Sequence, residues 1–192
     1  MPKLWTETMD NHRRAVREAI LDTTAALVAE RGLRAVTMSK IAENAGIGRA
    51  TLYKYFPDVD AILRAWHERQ ISGHLAQLAQ LRNQSGSPGQ RLETVLRAYA
   101  EIARGSRGHD DVELVAWLHR DEHLAHARNH LTTMLKDLLA EAAHAGDIRA
   151  DIAPDELATF CLHALAAAGT LPSNAAVHRL VAVILSGLRR ST

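Results

Sequence analysis

Hydrophobic residues recur every three or four positions along nearly the whole chain, and no segment shows a sustained alternation of hydrophobic and polar residues. The first pattern is typical of amphipathic α-helices, whereas alternation would have indicated strands. The composition agrees, because aromatic residues make up only 4% of the chain and Ala, Leu, Arg and Glu are abundant. We therefore predict an all-α fold with about nine helices and no sheet.

Helix-capping and helix-breaking residues divide the start of the chain into three helices. Asp10 is a suitable N-cap for the first helix, and Gly32 follows its last turn. Thr37 can cap a second, shorter helix that ends at the glycine-containing turn of residues 46–48, and a third helix covers residues 49–56. The predicted apolar stripe of the first helix consists of Val16, Ala19, Ile20, Thr23, Ala26 and Leu27.

Six more helices follow, and the clearest break among them is the polar loop at residues 83–90. Several of their starts carry an N-cap residue, a proline in the first turn or a capping box. The predicted starts lie at Asp58, Ser87, Asp110, His123, Pro154 and Ser173. The first three helices and the six that follow suggest two domains, residues 1–57 and residues 58–192.

Charge is distributed unevenly along a chain whose net charge is only +1. Residues 31–56 contain five Lys and Arg residues and one Glu, a balance of 5 − 1 = +4. Residues 61–192 contain 14 basic and 14 acidic residues. A positive patch on a neutral body is consistent with a head that binds a polyanion.

The composition argues against several classes of protein. Cys161 is the single cysteine, so neither an internal disulfide nor a cysteine metal cluster is expected. No run of about 18 apolar residues predicts a membrane span, and the first residues lack the apolar segment of a signal peptide. We therefore expect a cytoplasmic protein that uses no cofactor and does not bind membranes.

The second and third helices are joined by a short glycine-containing turn, which is the arrangement of a helix-turn-helix motif. In that motif the second helix enters the major groove of DNA and the first lies across it. Ile41, Ile47 and Leu52 are the expected apolar contacts between the helices, which leaves the other residues of the third helix facing outward. These outward residues are Arg49, Ala50, Thr51, Tyr53, Lys54 and Tyr55.

Their chemistry suits DNA. Hydroxyl groups and Lys donate hydrogen bonds to phosphate oxygens, Arg can bind guanine through two parallel hydrogen bonds, and a small Ala can meet a thymine methyl group. Taken singly, each tyrosine could be a packing aromatic and each charge a solvated one. The turn, the spacing and the charge together favour a DNA-binding head over residues 1–57.

The segment TMSKIAENAGIGRATLYKYFPDVDAIL, residues 37–63, resembles the signature of the TetR family of bacterial transcriptional regulators. The shared pattern is a Thr, then Ile-Ala, an Ala-Gly turn and Thr-Leu-Tyr; the usual Tyr-x-Phe before the fourth helix is here Tyr55-Phe56. The segment REAILDTTAALVAERG, residues 17–32, resembles the first helix of the same head. The resemblance is specific over residues 13–63, and beyond them only the helical layout is similar.

This resemblance implies a DNA-binding transcriptional regulator, most commonly a repressor. It implies that a homodimer binds a palindromic double-stranded DNA operator and is released when a small-molecule effector binds the C-terminal domain. The family positions that contact phosphates correspond to Thr37, Thr51 and Tyr53. Those that contact bases or nearby backbone correspond to Arg49, Ala50 and Lys54, and Tyr55 lies at a position that does either.

Two residues depart from the family pattern. Gly48 replaces the usual Ser or Thr cap of the recognition helix, which costs a few tenths of a kcal/mol. Val59 stands where a Lys usually meets phosphate, so one phosphate contact is missing. Because each such contact releases counterions, we expect a correspondingly shallower salt dependence of DNA binding.

The last two helices carry wide apolar faces, which either fill an internal core or form a two-fold four-helix bundle with a second copy. The resemblance implies the bundle, and we favour it because helix-turn-helix proteins commonly bind symmetric half-sites as dimers. The predicted interface residues are Leu157, Cys161, Leu165, Val177, Leu180, Val181, Ile184 and Leu188.

The resemblance also implies a cavity among the middle helices for a small, largely apolar effector. Core packing is the alternative role for each candidate wall residue taken singly. The candidates are Trp66, Tyr99, Trp117, Met134, Phe160 and His163.

Four of the eleven histidines, His119, His123, His126 and His130, would share one face of an unbroken helix, as metal ligands could. However, residues 120–122 separate two predicted helices, and the last three histidines each precede a residue of a predicted apolar stripe. We therefore interpret them as histidines at the edge of the core, with a metal or pH-sensing site as the alternative.

An enzyme is the alternative function. The pair His109–Asp110 is similar to the His-Asp pair of helical metal-dependent phosphohydrolases, which also need an upstream His and a downstream Asp. His67, His74, Asp137 and Asp147 are available, but none lies in a recognisable motif. We therefore interpret the pair as a loop and helix cap and predict no enzymatic activity. A dimeric scaffold that binds no DNA is the third possibility.

Overall fold

A computed structural model describes residues 3–105 and 122–190 of the chain. Within these two ranges the chain forms eight α-helices and no strand. The helices are α1 (Lys3–Arg31), α2 (Met38–Asn44), α3 (Arg49–Tyr55), α4 (Val59–Arg82), α5 (Pro88–Gly105), α6 (Glu122–His144), α7 (Pro154–Ala166) and α8 (Asn174–Leu188). The all-α prediction is confirmed, and the predicted helix that starts at Asp110 lies outside the described residues.

Four of the predicted caps are present. In each, the side-chain oxygen accepts a hydrogen bond from the backbone N–H three residues later. The caps are Thr37, Asp58, Ser87 and Ser173, with donor–acceptor distances of 3.3, 2.7, 3.3 and 3.2 Å. At Ser87 the cap is reciprocal, because its own N–H donates to the Gln90 side chain at 3.0 Å. The sequence therefore predicts these helix starts from side-chain chemistry alone.

The first helix differs from its prediction. It begins at Lys3, about two turns before Asp10, so Asp10 is not the N-cap. No Gly or Pro interrupts residues 3–31, and an exposed Asp is tolerated inside a helix. Ala19 and Ala26 of the predicted stripe are exposed. Ile20 and Leu27 of that stripe are buried as predicted, and the other buried residues of α1 are Leu21, Thr24 and Val28. Thr24 is accommodated because its hydroxyl donates to the Ile20 carbonyl at 2.8 Å.

Residues 3–70 form one compact unit with its own hydrophobic core. Helices α1, α2, α3 and the first part of α4 all contribute side chains to this core. The geometric division therefore falls after Gln70 within α4, later than the predicted boundary at residue 57. Arg69 stabilises this packing by binding Glu18 and Asp22 of α1 at 2.7 and 2.8 Å.

The second unit comprises residues 71–105 and 122–190 of the described chain. Its core is formed by side chains from the end of α4 and from α5, α6, α7 and α8. Arg82 of α4 and Arg91 of α5 both bind the Glu141 carboxylate of α6, at 3.1 and 3.0 Å. No helix in the described ranges is long and apolar enough to cross a membrane.

The predicted dimer-interface residues form much of the interior of this second unit. Seven of them are at most 5% exposed within a single chain: Leu157, Cys161, Leu165, Val177, Val181, Ile184 and Leu188. Side chains already covered by their own chain offer almost no area to a second copy, so the prediction is wrong for these seven. Helices α7 and α8 turn their most apolar faces toward α5 and α6. Of the eight, only Leu180 is partly exposed.

Candidate nucleic-acid interface

The turn between α2 and α3 is built on Gly46, whose φ angle of 67° lies in the left-handed region. The Ile47 N–H donates to the Ala42 carbonyl at 3.0 Å, and the Gly46 N–H donates to the Glu43 carbonyl at 3.2 Å. These two hydrogen bonds form a Schellman motif, which satisfies carbonyls at the end of α2. Ile47 also packs against the core of the first unit, so the turn holds α3 in a defined orientation.

Helix α3 is held by very few side chains. Gly48 is its N-cap and provides no side-chain hydrogen bond, as the sequence predicts. Its carbonyl still accepts the N–H groups of Thr51 and Leu52, at 2.9 and 3.0 Å. Leu52 is 0% exposed and is the one buried residue of the seven, and Phe56, which follows the helix, is 5% exposed. Leu52, the partial packing of Tyr55 and the two flanking turns therefore position the helix.

The outward orientation predicted for α3 holds for most of its residues. Arg49, Ala50 and Lys54 are exposed, and Tyr53 is 49% exposed. Thr51 and Tyr55 are half-buried. Tyr55 packs partly against the core of the first unit, so the expectation of an outward Tyr55 is correct only in part. The exposed residues combine hydroxyl and cationic groups on one side of a short helix.

The cationic groups of this surface are not neutralised within the described part of the chain. Arg49 and Lys54 form no ion pair with any described residue. Thr37 is exposed, and its hydroxyl oxygen accepts the cap hydrogen bond, which leaves its hydroxyl proton able to donate. The surface therefore offers hydrogen-bond donors and positive charge to an anionic partner.

The described effector-pocket candidates are distributed over both units. Trp66 is buried in the core of the first unit, whereas Met134 and Tyr99 belong to the core of the second. Phe160 is 49% exposed and His163 is exposed, so both lie on the outer side of α7 rather than inside. The prediction is wrong for these two, because the buried side of α7 carries Leu157, Cys161 and Leu165. Trp117 lies outside the described residues.

The second unit contains two open cavities. One, of about 360 Å³, is lined by residues from the start of α5 and the end of α8, and by Asp147. The other, of about 540 Å³, is lined by residues 143–151 and Arg190. Neither is lined by a predicted pocket residue. Asp147 accepts the Gly89 N–H at 2.7 Å and thereby stabilises the first turn of α5.

The described residues include part of the histidine series, whereas the His109–Asp110 pair of the enzyme alternative lies outside them. His126 and His130 are exposed, and each precedes a buried residue, Ala127 and Leu131. Their position at the edge of the core follows the prediction for these two histidines. His119, His109 and Asp110 lie outside the described residues. Within the described ranges, no three His, Cys, Asp or Glu side chains are grouped as a metal site would require.

Similarity to known proteins agrees with this geometry. Residues 20–66 match the model for bacterial regulatory proteins of the TetR family, and residues 87–190 match the C-terminal domain of SbtR-like transcriptional regulators. The transcriptional repressor KstR2 of Mycobacterium tuberculosis is 27% identical over 153 residues, which are 75% of this chain and 74% of KstR2. The chain spans about half the length or less of some other curated relatives it matches, 48% and 41% in two cases.

Two solved structures share the fold. The TetR transcriptional regulator SCO0520 from Streptomyces coelicolor is 29% identical, with a TM-score of 0.66, over 92% of this chain and 99% of that one. A regulator of the TetR/AcrR family from Thermobifida fusca is 20% identical, with a TM-score of 0.75, over 91% of this chain and 98% of that one. Together with the exposed recognition helix and its glycine turn, these matches establish that the chain belongs to the TetR family of transcriptional regulators.

Proposed function

We propose that this protein regulates transcription by inserting α3 into the major groove of an operator. The observation that carries the proposal is that α3 buries one residue and exposes its cationic and hydroxyl side chains. Leu52 alone is buried, while Arg49, Tyr53 and Lys54 are exposed and no described acidic residue neutralises the two cations. A helix that needed only to pack would gain nothing from this outward surface, whereas DNA phosphates and base edges match its donors.

Two substitutions in α3 test this role with different readouts. Tyr53→Phe removes only a hydroxyl, so we expect it to weaken binding roughly equally for all DNA sequences. Arg49→Ala removes a guanidinium suited to guanine, so we expect it to change which sequence is preferred. Selection of bound fragments from genomic DNA, followed by titrations of preferred and altered duplexes, measures both effects. Equal losses for every sequence in both variants would remove Arg49 from base recognition, and no binding by the wild type would overturn the proposal.

We also propose that the protein acts as a homodimer on a palindromic operator through the outer faces of α7 and α8. Phe160 is 49% exposed and Val183 is 67% exposed, and both are among the four large hydrophobic residues most exposed in the described chain. Leu180, one turn before Val183 on α8, is partly exposed as well. A second copy would cover these faces by a two-fold interface, as helix-turn-helix regulators require for symmetric half-sites.

Sedimentation measurements over a range of protein concentrations test this interface. We expect Phe160→Glu to shift the protein toward monomers, because a carboxylate would be buried without a partner. Ala140→Glu on the exposed side of α6 is the matched control and should leave association unchanged. A wild-type protein that remains monomeric at all concentrations would contradict the dimer.

A small, largely apolar effector is the remaining part of the proposal, together with repression relieved by that effector. Met134 is 4% exposed, and the half-buried Tyr99 packs against the same core. Burial raises the pKa of the Tyr99 hydroxyl, and the nearby Arg128 opposes this shift. A polar group beside an apolar core suits a site that orients an apolar molecule. An effector would act by favouring a conformation with lower affinity for the operator.

Release of a labelled operator in the presence of apolar metabolites tests the effector. A compound that binds is expected to raise the melting temperature of the protein and to release the DNA. Tyr99→Phe should weaken both effects equally if the hydroxyl orients the compound. Compounds that stabilise the protein but leave operator binding unchanged would argue against coupling between the two sites.

A further inference from the structure

The N-terminal part of α1 carries a basic segment that the helix-turn-helix motif does not include. His12, Arg13, Arg14 and Arg17 fall within six residues of α1, before residue 20, where the match to the TetR-family model begins. His12, Arg13 and Arg14 are exposed, and Arg17 is half-buried. Asp10 and Glu18 are the acidic residues at the two ends of this segment, so residues 10–18 have a balance of 3 − 2 = +1 with His neutral.

The basic residues lie on the same side of α1 as its buried residues, nearer to the N-terminus. Positions three, four and seven residues apart lie on one side of a helix. Arg13 lies seven residues before Ile20, and Arg14 lies seven residues before Leu21, both of which are at most 2% exposed in the core. Arg17 lies three residues before Ile20. The side of α1 that packs into the core of the first unit therefore becomes cationic where the core ends.

Arg17 places this segment beside the recognition helix. Its guanidinium lies over the ring of Phe56, 5.0 Å from the ring centroid, in a cation–π contact. Phe56 directly follows Tyr55, the last residue of α3. Arg13 and Arg14 lie about one helical turn further along α1, a rise of about 5 to 6 Å. The two exposed arginines are thus held on a rigid helix close to the end of α3.

These arginines have no partner inside the described chain. Arg13 and Arg14 form no ion pair there. Two other carboxylates of α1, Glu18 and Asp22, are bound by Arg69 at 2.7 and 2.8 Å. The part of α1 that carries Arg13 and Arg14 therefore adds positive charge that no described carboxylate pairs with. This charge lies on the side of the first unit that carries α3.

We propose that Arg13 and Arg14 bind DNA phosphates that flank the groove occupied by α3, so that α1 extends the interface beyond the helix-turn-helix. The proposal rests on the proposed DNA-binding function. Guanidinium groups on phosphates supply affinity and register without reading bases. They would provide the electrostatic contact that Val59 does not provide at the start of α4.

The salt dependence of DNA binding tests this proposal in the full-length protein. We expect Arg13→Ala/Arg14→Ala to reduce the slope of log K against log salt by about one for each phosphate that is no longer bound, roughly two per protomer. Sequence preference should stay as in the wild type. Alanine is favourable in an exposed helix, and circular dichroism checks that α1 remains folded. The charge-conserving variant Arg13→Lys/Arg14→Lys should keep most of the slope.

The adjacent pair Arg189 and Arg190, in the second unit, offers a matched control with the same change of net charge. Arg189→Ala/Arg190→Ala should leave the slope unchanged. Equal slopes for the wild type and Arg13→Ala/Arg14→Ala, or equal reductions in both alanine pairs, would overturn the phosphate binding by α1 while leaving α3 as the DNA-binding helix. A wild-type protein that binds no DNA would overturn the proposed function and this inference together.

Discussion

Helices α3 and α8 are positioned in opposite ways. Helix α3 buries one side chain of seven, whereas α8 buries Ala176, Val177, Val181, Ile184 and Leu188 within fifteen residues. In α3 the residues that the fold does not need are those that suit DNA. In α8 most of the apolar residues that the sequence suggests as a dimer interface are instead buried in the core of the same chain. An apolar stripe thus indicates that one face of a helix is covered. It does not indicate whether another helix of the same chain or a second copy covers it.

The largest expected effect contrasts two neighbours in α3. Leu52→Ala removes a side chain that is 0% exposed and should lower the free energy of unfolding by about 2–5 kcal/mol. Tyr53→Ala changes a half-exposed residue and should lower it by about 0.5 kcal/mol or less while weakening DNA binding. Urea unfolding followed by circular dichroism compares the two variants. Similar destabilisation by both would mean that Tyr53 is part of the core.

A second contrast separates core from interface within α8. Val181 is 0% exposed and Val183 is 67% exposed. Val181→Ala should lower the free energy of unfolding by about 1–3 kcal/mol without a specific effect on association. Val183→Ala should change association more than folding. Urea unfolding and sedimentation of both variants distinguish these outcomes, and a loss of association confined to Val181→Ala would place Val181 in the dimer interface after all.

A third contrast concerns the two glycines of the turn before α3. Gly46 has a φ of 67°, whereas Gly48 has a φ of −68° that any residue adopts. Gly46→Ala should destabilise the protein by about 1–2 kcal/mol, because a Cβ atom is unfavourable in the left-handed region. Gly48→Ser should stabilise it by a few tenths of a kcal/mol through a side-chain cap. Thermal melts measure both changes, and equal tolerance of the two substitutions would show that the turn is not constrained at Gly46.

The smallest effect is a pH dependence in the second unit, where Arg82 and Arg91 bind Glu141. The hydrogen bond from Arg82 lowers the pKa of Glu141 below 4.5. The folded state therefore binds this proton less readily than the unfolded state. The resulting stabilisation is present above about pH 4.5 and is lost as the pH falls through the lowered pKa of the folded state.

Comparison of the wild type with Glu141→Gln tests this contribution. The difference in free energy of unfolding should be greatest above about pH 5 and should narrow as the pH falls below 4.5. Glu93→Gln is the control, because Glu93 pairs with Arg97 of its own helix and such pairs contribute little. A difference between wild type and Glu141→Gln that is constant with pH would contradict the ion-pair explanation.

The predictions made from single residues succeed where the physical cause is local. The caps at Thr37, Asp58, Ser87 and Ser173 and the left-handed turn at Gly46 depend on residues within a few positions of each other. Side-chain oxygens and a missing Cβ act on their own backbone, so distant contacts do not alter the outcome. The predicted start of α1 is wrong because no glycine or proline fixes where this helix begins. Asp10 is therefore only one of several residues at which the helix could have started.

The predictions of which helix faces form an interface or a pocket are wrong where burial depends on residues distant in sequence. Phe160 and Leu157 are both apolar residues of α7, and only packing against other helices decides that Leu157 is buried and Phe160 exposed. Trp66 and Tyr99 are both candidate pocket residues in the sequence, and only packing assigns Trp66 to the core of the first unit and Tyr99 to that of the second. Spacing identifies the faces of a helix, but it does not state which partner each face receives.

The sequence by itself therefore determined the helical class, most helix starts, the glycine turn and the polar character of α3, because each depends on short-range backbone and side-chain chemistry. Tertiary structure alone decided which apolar faces became interior, where the two units divide within α4, and that Arg17 stacks on Phe56. Those outcomes depend on which helices meet in space, and many residues compete for the same buried area before folding selects one arrangement.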